Sequence, residues 1–439
     1  MRGRHAVANR AFHGGVHPAD RKDATSALPI RRAPVPGLLR VPLSQHLGAP
    51  CSALVEKGDR VMRGQVIGNV EAVVSAPIHA PASGEVTDVG PVLLASGARV
   101  QAVSIAPDEV QEFERFQPVG RSGSIPDTVR AAGIVGLGGA TFPTAVKLKP
   151  PKDMPVRTLI LNGCECEPYL TCDHRTMLER PGRVIRGAEI IAAAVGATRT
   201  VIAVEDNKSD AAAALREKAG EGIEVIVVPT RYPQGAEKQL IWAVIGAEVP
   251  HGKLPAATGA LVHNVSTAAA IADAVDEGRP LMERVVTVTG NVRNPGNYLT
   301  LLGTSVQDLL DVAGGISGEA GRVVAGGPMT GMALAGLSVP VVKGMGGIVV
   351  LDPGDTAPAV HGDQPCIRCA RCSDACPMML EPFAIGIYAN RGDWDDTHRF
   401  HALDCIECGC CSFVCPTRRP LVQLIRRAKQ SLLEKGASL

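Results

Sequence analysis

Aromatic residues are scarce, with Phe, Trp and Tyr making up 3% of 439 residues. That is too few for a base-stacking platform, and a formal net charge of +1 leaves no basic footprint for a polyanion. Nucleic acid is therefore excluded as a partner. Long apolar runs are missing as well. The richest stretches, at 190–195 and 347–351, fall well short of the roughly 20 residues that a bilayer span needs. Met1-Arg2-Gly3-Arg4-His5 leads into no apolar segment, so no secretory leader is expected. The cysteines total 13, an odd number, which with no leader points to free thiols in a reducing compartment, the cytoplasm.

Most of those cysteines stand in two runs. Cys366, Cys369, Cys372 and Cys376, followed by Pro377, repeat the spacing of Cys405, Cys408, Cys411 and Cys415, followed by Pro416. Each reads C-x2-C-x2-C-x3-C-P, the spacing of bacterial two-cluster [4Fe–4S] ferredoxins. Short spacers aim three thiolates at one cube, and the fourth cysteine of such a run serves the other cluster. Cys366, Cys369, Cys372 and Cys415 are therefore expected at one cluster, and Cys405, Cys408, Cys411 and Cys376 at the other. A zinc site or a disulfide framework would need no twofold repeat of this spacing. Cys410 is expected to be a free thiol beside its cluster.

The rest of the chain is a multidomain α/β + β arrangement. An extended arm spans 1–37 and a lipoyl-like β-sandwich 38–120, with short strands between Gly turns. The sandwich lacks a lysine between hydrophobics at a hairpin tip, so it is expected to be scaffold. Strand and helix alternate over 121–280, which predicts a Rossmann-like parallel sheet. Residues 281–345 return to β character around one helix and resemble the β-grasp module called SLBB. A Gly/Pro-rich linker at 346–362 enters a two-cluster ferredoxin-like helical domain at 363–419, and an amphipathic helix ends the chain at 420–439. Trp242 sits in an apolar helical stretch and reads as core.

Two loops carry candidate ligand chemistry. Gly136-Leu137-Gly138-Gly139-Ala140-Thr141-Phe142-Pro143-Thr144 is a turn whose backbone N–H groups can approach a phosphate, with Lys147 following as countercharge. It is neither a Walker A loop nor a clean dinucleotide fingerprint. Asn162-Gly163-Cys164-Glu165-Cys166-Glu167-Pro168 follows a predicted strand, where open α/β sheets bind ligands. Its carboxylates suit a ribityl chain or a nicotinamide; the alternative is a turn with solvated acids. Cys164, Cys166 and Cys172 lack a clear fourth ligand and read as thiols lining a pocket.

The order of these two loops, then Tyr232-Pro233-Gln234-Gly235-Ala236-Glu237 and Asn264-Val265-Ser266-Thr267, resembles the FMN- and NADH-binding subunit of respiratory complex I. Together with the arm, the lipoyl-like domain, SLBB and two clusters, nearly the whole chain resembles the RnfC family of Rnf complexes. That resemblance implies two [4Fe–4S] clusters, non-covalent FMN, and NAD(H) as substrate. It implies an electron-input subunit of an ion-translocating ferredoxin:NAD+ oxidoreductase, a translocase, peripheral on the cytoplasmic face of the inner membrane. Its partners would be membrane and ferredoxin-like subunits. Carried over, Gly136, Gly138, Gly139 and Lys147 would cradle FMN. Asn162, Glu165, Tyr232, Gly235 and Asn264 would hold its phosphate, ribityl chain or ring edge. Phe142, Glu167 and Glu237 would face the dinucleotide, with Glu167 and Glu237 as the catalytic pair. Leu137, Thr141 and Ala236 depart from the complex I pattern. A second resemblance is to a soluble flavin and iron–sulfur reductase of diol-degrading microcompartments. An electron carrier with no nucleotide site and a polysaccharide binder acting through SLBB belong to other classes.

Overall fold

The computed structural model describes residues 10–120, 123–139, 141–354 and 365–436. Residues 1–5, read for a leader, and the part of the expected linker at 355–362 lie outside the described residues. The arm carries helix α1 (Asp23–Ser26) and strand β1 (Ile30–Arg32). The following strands are β2 (Leu39–Pro42), β3 (Ser52–Ala53), β4 (Arg60–Val61), β5 (Val66–Asn69), β6 (Ile78–His79), β7 (Gly84–Leu93) and β8 (Arg99–Pro107). They form two antiparallel sheets, ordered β2-β8-β7-β4 and β3-β5-β6. Leu39 and Val41 on β2 and Val103 and Ile105 on β8 are two residues apart and fully buried, meeting Ile67 and Ile78 in one core. That period of two turns one face of each strand inward.

The next unit holds α2 (Ile125–Ala131), α3 (Thr144–Lys147), β9 (Thr158–Gly163), α4 (Cys172–Glu179), α5 (Pro181–Val195), β10 (Arg199–Glu205), α6 (Ser209–Lys218), β11 (Ile223–Val228), α7 (Glu237–Ile245), β12 (Ala260–Asn264) and α8 (Val265–Glu277). Its sheet runs β11-β10-β9-β12 and every pairing is parallel. Leu159, Ile160 and Leu161 in β9, and Val201 to Val204 in β10, are without exposure on either face. Helices cover both sides, so these strands are continuously apolar instead of alternating. The pairing of β9 with β12 ends with Asn162 and Asn264 side by side.

Strands β13 (Glu283–Gly290), β14 (Gly296–Leu301), β15 (Arg322–Ala325), β16 (Met332–Ala333) and β17 (Gly347–Leu351), with α9 (Val306–Val312), build the third unit. Its sheet runs β1-β14-β13-β17-β15-β16. Two expected boundaries are corrected here. The linker expected from 346 begins as β17, a central strand buried between β13 and β15. Gly346-Gly347 mimicked a linker, but the four apolar residues after them need burial. The arm expected at 1–37 contributes β1, which pairs in parallel with β14 through Ile30 and Asn297.

The last unit is helical: α10 (Arg371–Asp374), α11 (Pro382–Arg391), α12 (Trp394–Arg399), α13 (Cys410–Phe413) and α14 (Leu421–Glu434). Leu421, Ile425, Ala428 and Leu432 form the buried stripe of α14 and pack with Ile385 and Ala389 of α11. Arg426 and Lys429, on the polar side, are both bound to Glu407, at 3.0 and 2.6 Å. Among the described residues no helix is long and apolar enough to cross a membrane. Trp242, expected in the core, is half-buried, and its Nε1–H donates to the carbonyl of Ala11 at 3.1 Å. An apolar helix face was legible; the arm lying on it was not.

Candidate functional site

The four singled-out loops meet at the carboxyl end of the parallel sheet. Asn264 caps α8: its Oδ1 accepts from the N–H groups of Ser266 at 2.9 Å and Thr267 at 3.2 Å. Its Nδ2 donates to Asp173 at 2.7 Å. The glycine loop lies directly against this fixed amide. A Cβ at Gly138 would sit 2.6 Å from Nδ2 of Asn264, so only glycine lets the loop pass. One residue earlier, the N–H of Leu137 donates to the Thr267 hydroxyl at 2.9 Å, and its carbonyl accepts from Arg284 of β13 at 2.6 Å. Gly136 closes the turn on the carbonyl of Phe142 at 3.0 Å. Beyond it Gly139 has open space where a Cβ would be, and Phe142 is 36% exposed. The loop is thus held at its base, and at Gly139 and Phe142 it is open.

Lys147 does not stand alone as countercharge: its Nζ binds Glu237, at the start of α7, at 2.7 Å. Asn162 bridges two loops, donating to the Gly235 carbonyl at 2.8 Å and accepting from Cys164 N–H at 3.1 Å. Glu165 turns back under its own loop and accepts from the N–H groups of Asp173 at 2.7 Å and His174 at 3.1 Å, in the first turn of α4. Asp173 beside it is buried; burial and the charge of Glu165 push its carboxyl above the usual range. Ser266 Oγ at 2.5 Å and Asn264 hold it.

Two of the expected site residues have partners in other units. Glu167, expected at the dinucleotide, accepts instead from Met329 N–H at 3.1 Å, from Thr330 N–H at 2.8 Å and from the Thr330 hydroxyl. Tyr232, expected on the flavin, sends its hydroxyl to the carbonyl of Cys408 at 2.7 Å. In both cases the partner lies in another unit, more than 150 residues away in sequence. Spacing within a motif carries no trace of such a partner. Four residues that sequence reading missed also belong here: Asp173, Thr267, Arg284 and Lys22. The buried Lys22 donates to the carbonyls of Glu165 at 3.0 Å, Glu167 at 2.9 Å and Leu170, pinning the carboxylate loop from beneath. A lone lysine in a polar arm gives no signal for this.

Beyond the carboxylate loop lie the cysteine runs, which share one backbone path. Arg368 and Glu407 both have φ of 56°, Ala370 and Gly409 have 61° and 80°, and Met379 and Arg418 have 53° and 52°. Each run aims the same amides at sulfur. Arg368 N–H lies 3.4 Å from Cys366 Sγ and Glu407 N–H 3.3 Å from Cys405 Sγ. Leu380 N–H lies 3.4 Å from Cys376 Sγ and Arg419 N–H 3.5 Å from Cys415 Sγ. Amides directed at thiolates stabilise negative charge on sulfur. A small cavity, of about 20 Å³, is lined by Cys376 of the first run and Cys405, Cys408 and Cys411 of the second, with Cys410. The four cysteines of the set expected from spacing line it together with Cys410. The other set is more open, with Cys369 exposed. Cys164, Cys166 and Cys172 do not converge: their sulfurs lie against Ala203, Gly235 and Gly346 respectively.

Family models match along the chain: the RnfC barrel sandwich hybrid domain at 10–110, the Nuo51 FMN-binding domain at 129–273, the SLBB domain at 285–333 and the 4Fe-4S dicluster domain at 359–416. The C subunit of the proton-translocating ferredoxin:NAD(+) oxidoreductase complex of Clostridium ljungdahlii is 44% identical over 430 residues, 96% of this chain and 93% of that protein. Its Na(+)-translocating counterpart in Acetobacterium woodii is 43% identical over 436 residues, 97% of this chain and 98% of that one. Among solved structures, an NAD+-reducing [NiFe]-hydrogenase in its H2-reduced state is 21% identical with a TM-score of 0.51, covering 70% of this chain and 62% of that one, a likeness of fold. Identity at this level along the full length settles the family: the chain is a member of the RnfC family, the C subunits of ion-translocating ferredoxin:NAD(+) oxidoreductase complexes, with its FMN-binding and 4Fe-4S dicluster domains.

Proposed function

We propose that this chain exchanges electrons between NAD(H) and one-electron carriers, as the peripheral subunit of a membrane complex on its cytoplasmic face. The observation that carries the reading is the contact between the glycine-loop unit and a cavity lined by cysteines of both runs, made where Tyr232 donates to the carbonyl of Cys408. FMN, when bound, supplies the conversion between a hydride carrier and one-electron carriers, and the clusters supply the one-electron steps. The chain's own residues do the rest. Gly136, Gly138 and Gly139 admit the ligand's phosphate end close to backbone, and Asn264, Asn162 and Gly235 fix the walls of the cradle. The partly exposed Lys147–Glu237 pair and the exposed Phe142 are the groups we assign to the dinucleotide. Cys376, Cys405, Cys408 and Cys411 hold the inner cluster, against the flavin unit. Cys366, Cys369, Cys372 and Cys415 hold the outer one, where Ile367 is 60% exposed and available to a redox partner. Ion translocation falls to partner subunits that span the membrane.

The test is anoxic purification with iron and flavin counted. About eight iron atoms per chain, as two [4Fe–4S] clusters, and one FMN are expected. Cys369→Ala is expected to remove the outer cluster and leave about four irons. Gly138→Val is expected to leave both clusters and empty the flavin site. Zinc in place of iron, or parental flavin content in Gly138→Val, would sink the reading.

A further inference from the structure

The turn between β15 and β16 touches two functional units at once. Towards the flavin unit, its Met329 and Thr330 amides and the Thr330 hydroxyl close on the carboxylate of Glu167. The fit is tight: a Cβ at Gly327 would lie 2.2 Å from Glu167 Oε2. Towards the cysteine runs, the Thr330 carbonyl accepts from Arg426 at 3.1 Å, and Arg426 binds Glu407, which stands between Cys405 and Cys408, at 3.0 Å. The Met329 side chain packs against the apolar cluster of Val16, Tyr232, Ala375 and Cys410, as Cys166 and Cys408 also do. Among the described residues no donor to Glu167 comes from the glycine loop, and its carboxylate already accepts from protein groups. Its partners lie in the SLBB unit, away from the glycine loop.

We propose that Glu167 is a positioning residue, a latch that sets the separation between the flavin cradle and the inner cluster. The proposal rests on the functional reading above. Electron transfer between cofactors falls steeply with their separation, so a latch across this gap acts on the step in which one electron leaves the flavin and reduces the cluster. It leaves the reaction with NADH alone. The SLBB unit becomes a spacer between redox centres, with Thr330 as the partner of Glu167 and Arg426 as the tie to the cluster side.

The full-length chain, loaded anoxically, is compared with Glu167→Gln, Thr330→Val, Gly327→Ala and the Glu167→Gln/Thr330→Val double variant. Stopped-flow follows flavin bleaching by NADH and cluster reduction separately. Hydrogen exchange follows the amides of Met329 and Thr330 in the flavin-stripped chain. In Glu167→Gln, flavin bleaching is expected within about twofold of the parent, cluster reduction about tenfold slower, and the two amides exchanging about ten- to hundredfold faster, as befits a lost charged hydrogen bond. Thr330→Val moves the same readouts less, and the double variant falls short of the product of the two, because they share one contact. Slowed flavin bleaching with cluster reduction keeping pace would overturn the latch and return Glu167 to the dinucleotide. Parental lag and exchange in every variant would also overturn it. If Glu167→Gln fails to load, Thr330→Val and Gly327→Ala decide by the same two readouts, since both changes lie outside the flavin unit. A parent that binds no NADH-reducible flavin would overturn the functional reading instead.

Discussion

Lys343 is fully buried, and its Nζ donates to the carbonyls of Pro77 at 2.9 Å and Gly133 at 2.7 Å, tying the β-sandwich and the flavin unit to the SLBB unit. Burial lowers its pKa from the ordinary 10.5 to about 7. Its neighbours do not restore the charge. Burial and Lys343 push His79 down to about 3, burial with Lys343 also lowers His46, and burial raises the Cys51 thiol. Between pH 7 and 10.5 the unfolded chain therefore holds a proton that the folded chain has released. Stability contributed by this site rises with pH across that window, and below it the cost of a buried charge is present in full. Lys343→Met removes that rise, so its urea midpoint is expected to fall further below the parent's at pH 9.5 than at pH 7. Equal gaps at both pH values would show that Lys343 does not titrate here. At this scale the sequence was legible where a residue type can do only one thing in its spacing, as with the eight cysteines. It was illegible where the partner decides. Lys343, Lys22 and Glu167 each take their meaning from atoms that no local pattern predicts.

The glycine loop shows what an element owes to its neighbours. The motif was readable because Gly136, Gly138 and Gly139 stand close together, and the end of β9 was readable because Asn162 follows an apolar run. What holds the loop was not, since Thr267 lies on α8 and Arg284 on β13. Between them they fix the N–H and the carbonyl of Leu137, and Arg284 spans from there to the carbonyl of Met345 at 2.9 Å. The guanidinium is buried, and its planar fork serves two carbonyls that a single ammonium reaches less well. Arg284→Met is expected to weaken FMN binding about tenfold or more, the scale of a lost charged hydrogen bond. Arg284→Lys is expected to fall between it and the parent. Flavin fluorescence titration of the iron-loaded chain measures both, with iron content as the control for folding. Parental affinity in Arg284→Met would show that the loop holds its shape without the SLBB unit. The same limit explains the misplaced linker: Gly347–Leu351 has the composition of a strand, but its position between β13 and β15 depends on a sheet assembled from distant segments.

Across the whole molecule, domain order was legible because each unit carries its own local signal: alternation, helix–strand succession, or cysteine spacing. The contacts that join the units were not, since they bring together residues hundreds apart. The arm is the clearest case. Trp242 holds Ala11, and Arg231 lies 4.7 Å over the Phe12 ring while donating to the carbonyls of Phe12 and Gly14. Val16 and Tyr232 exchange backbone hydrogen bonds at 2.8 and 3.0 Å. Gly15 N–H then reaches the carbonyl of Ala375 at 2.9 Å, next to Cys376 of the inner cavity. The arm therefore staples the flavin unit to the cluster unit. Gly14 is its tightest point, with φ of 68° and a virtual Cβ 2.7 Å from the Cys376 carbonyl oxygen. Any side chain there is strained twice, by its backbone conformation and by that carbonyl. Gly14→Ala is expected to lift the arm from the loop that carries Cys376 and loosen the inner cluster before the outer one. Under a chelator without oxygen, about four of the eight irons should leave several-fold faster than in the parent. The outer cluster and the flavin should be retained at parental rates. Iron release with electron paramagnetic resonance of the remaining cluster separates the two. Uniform loss from both clusters, or parental release from both, would show that the arm does not hold Cys376 in place.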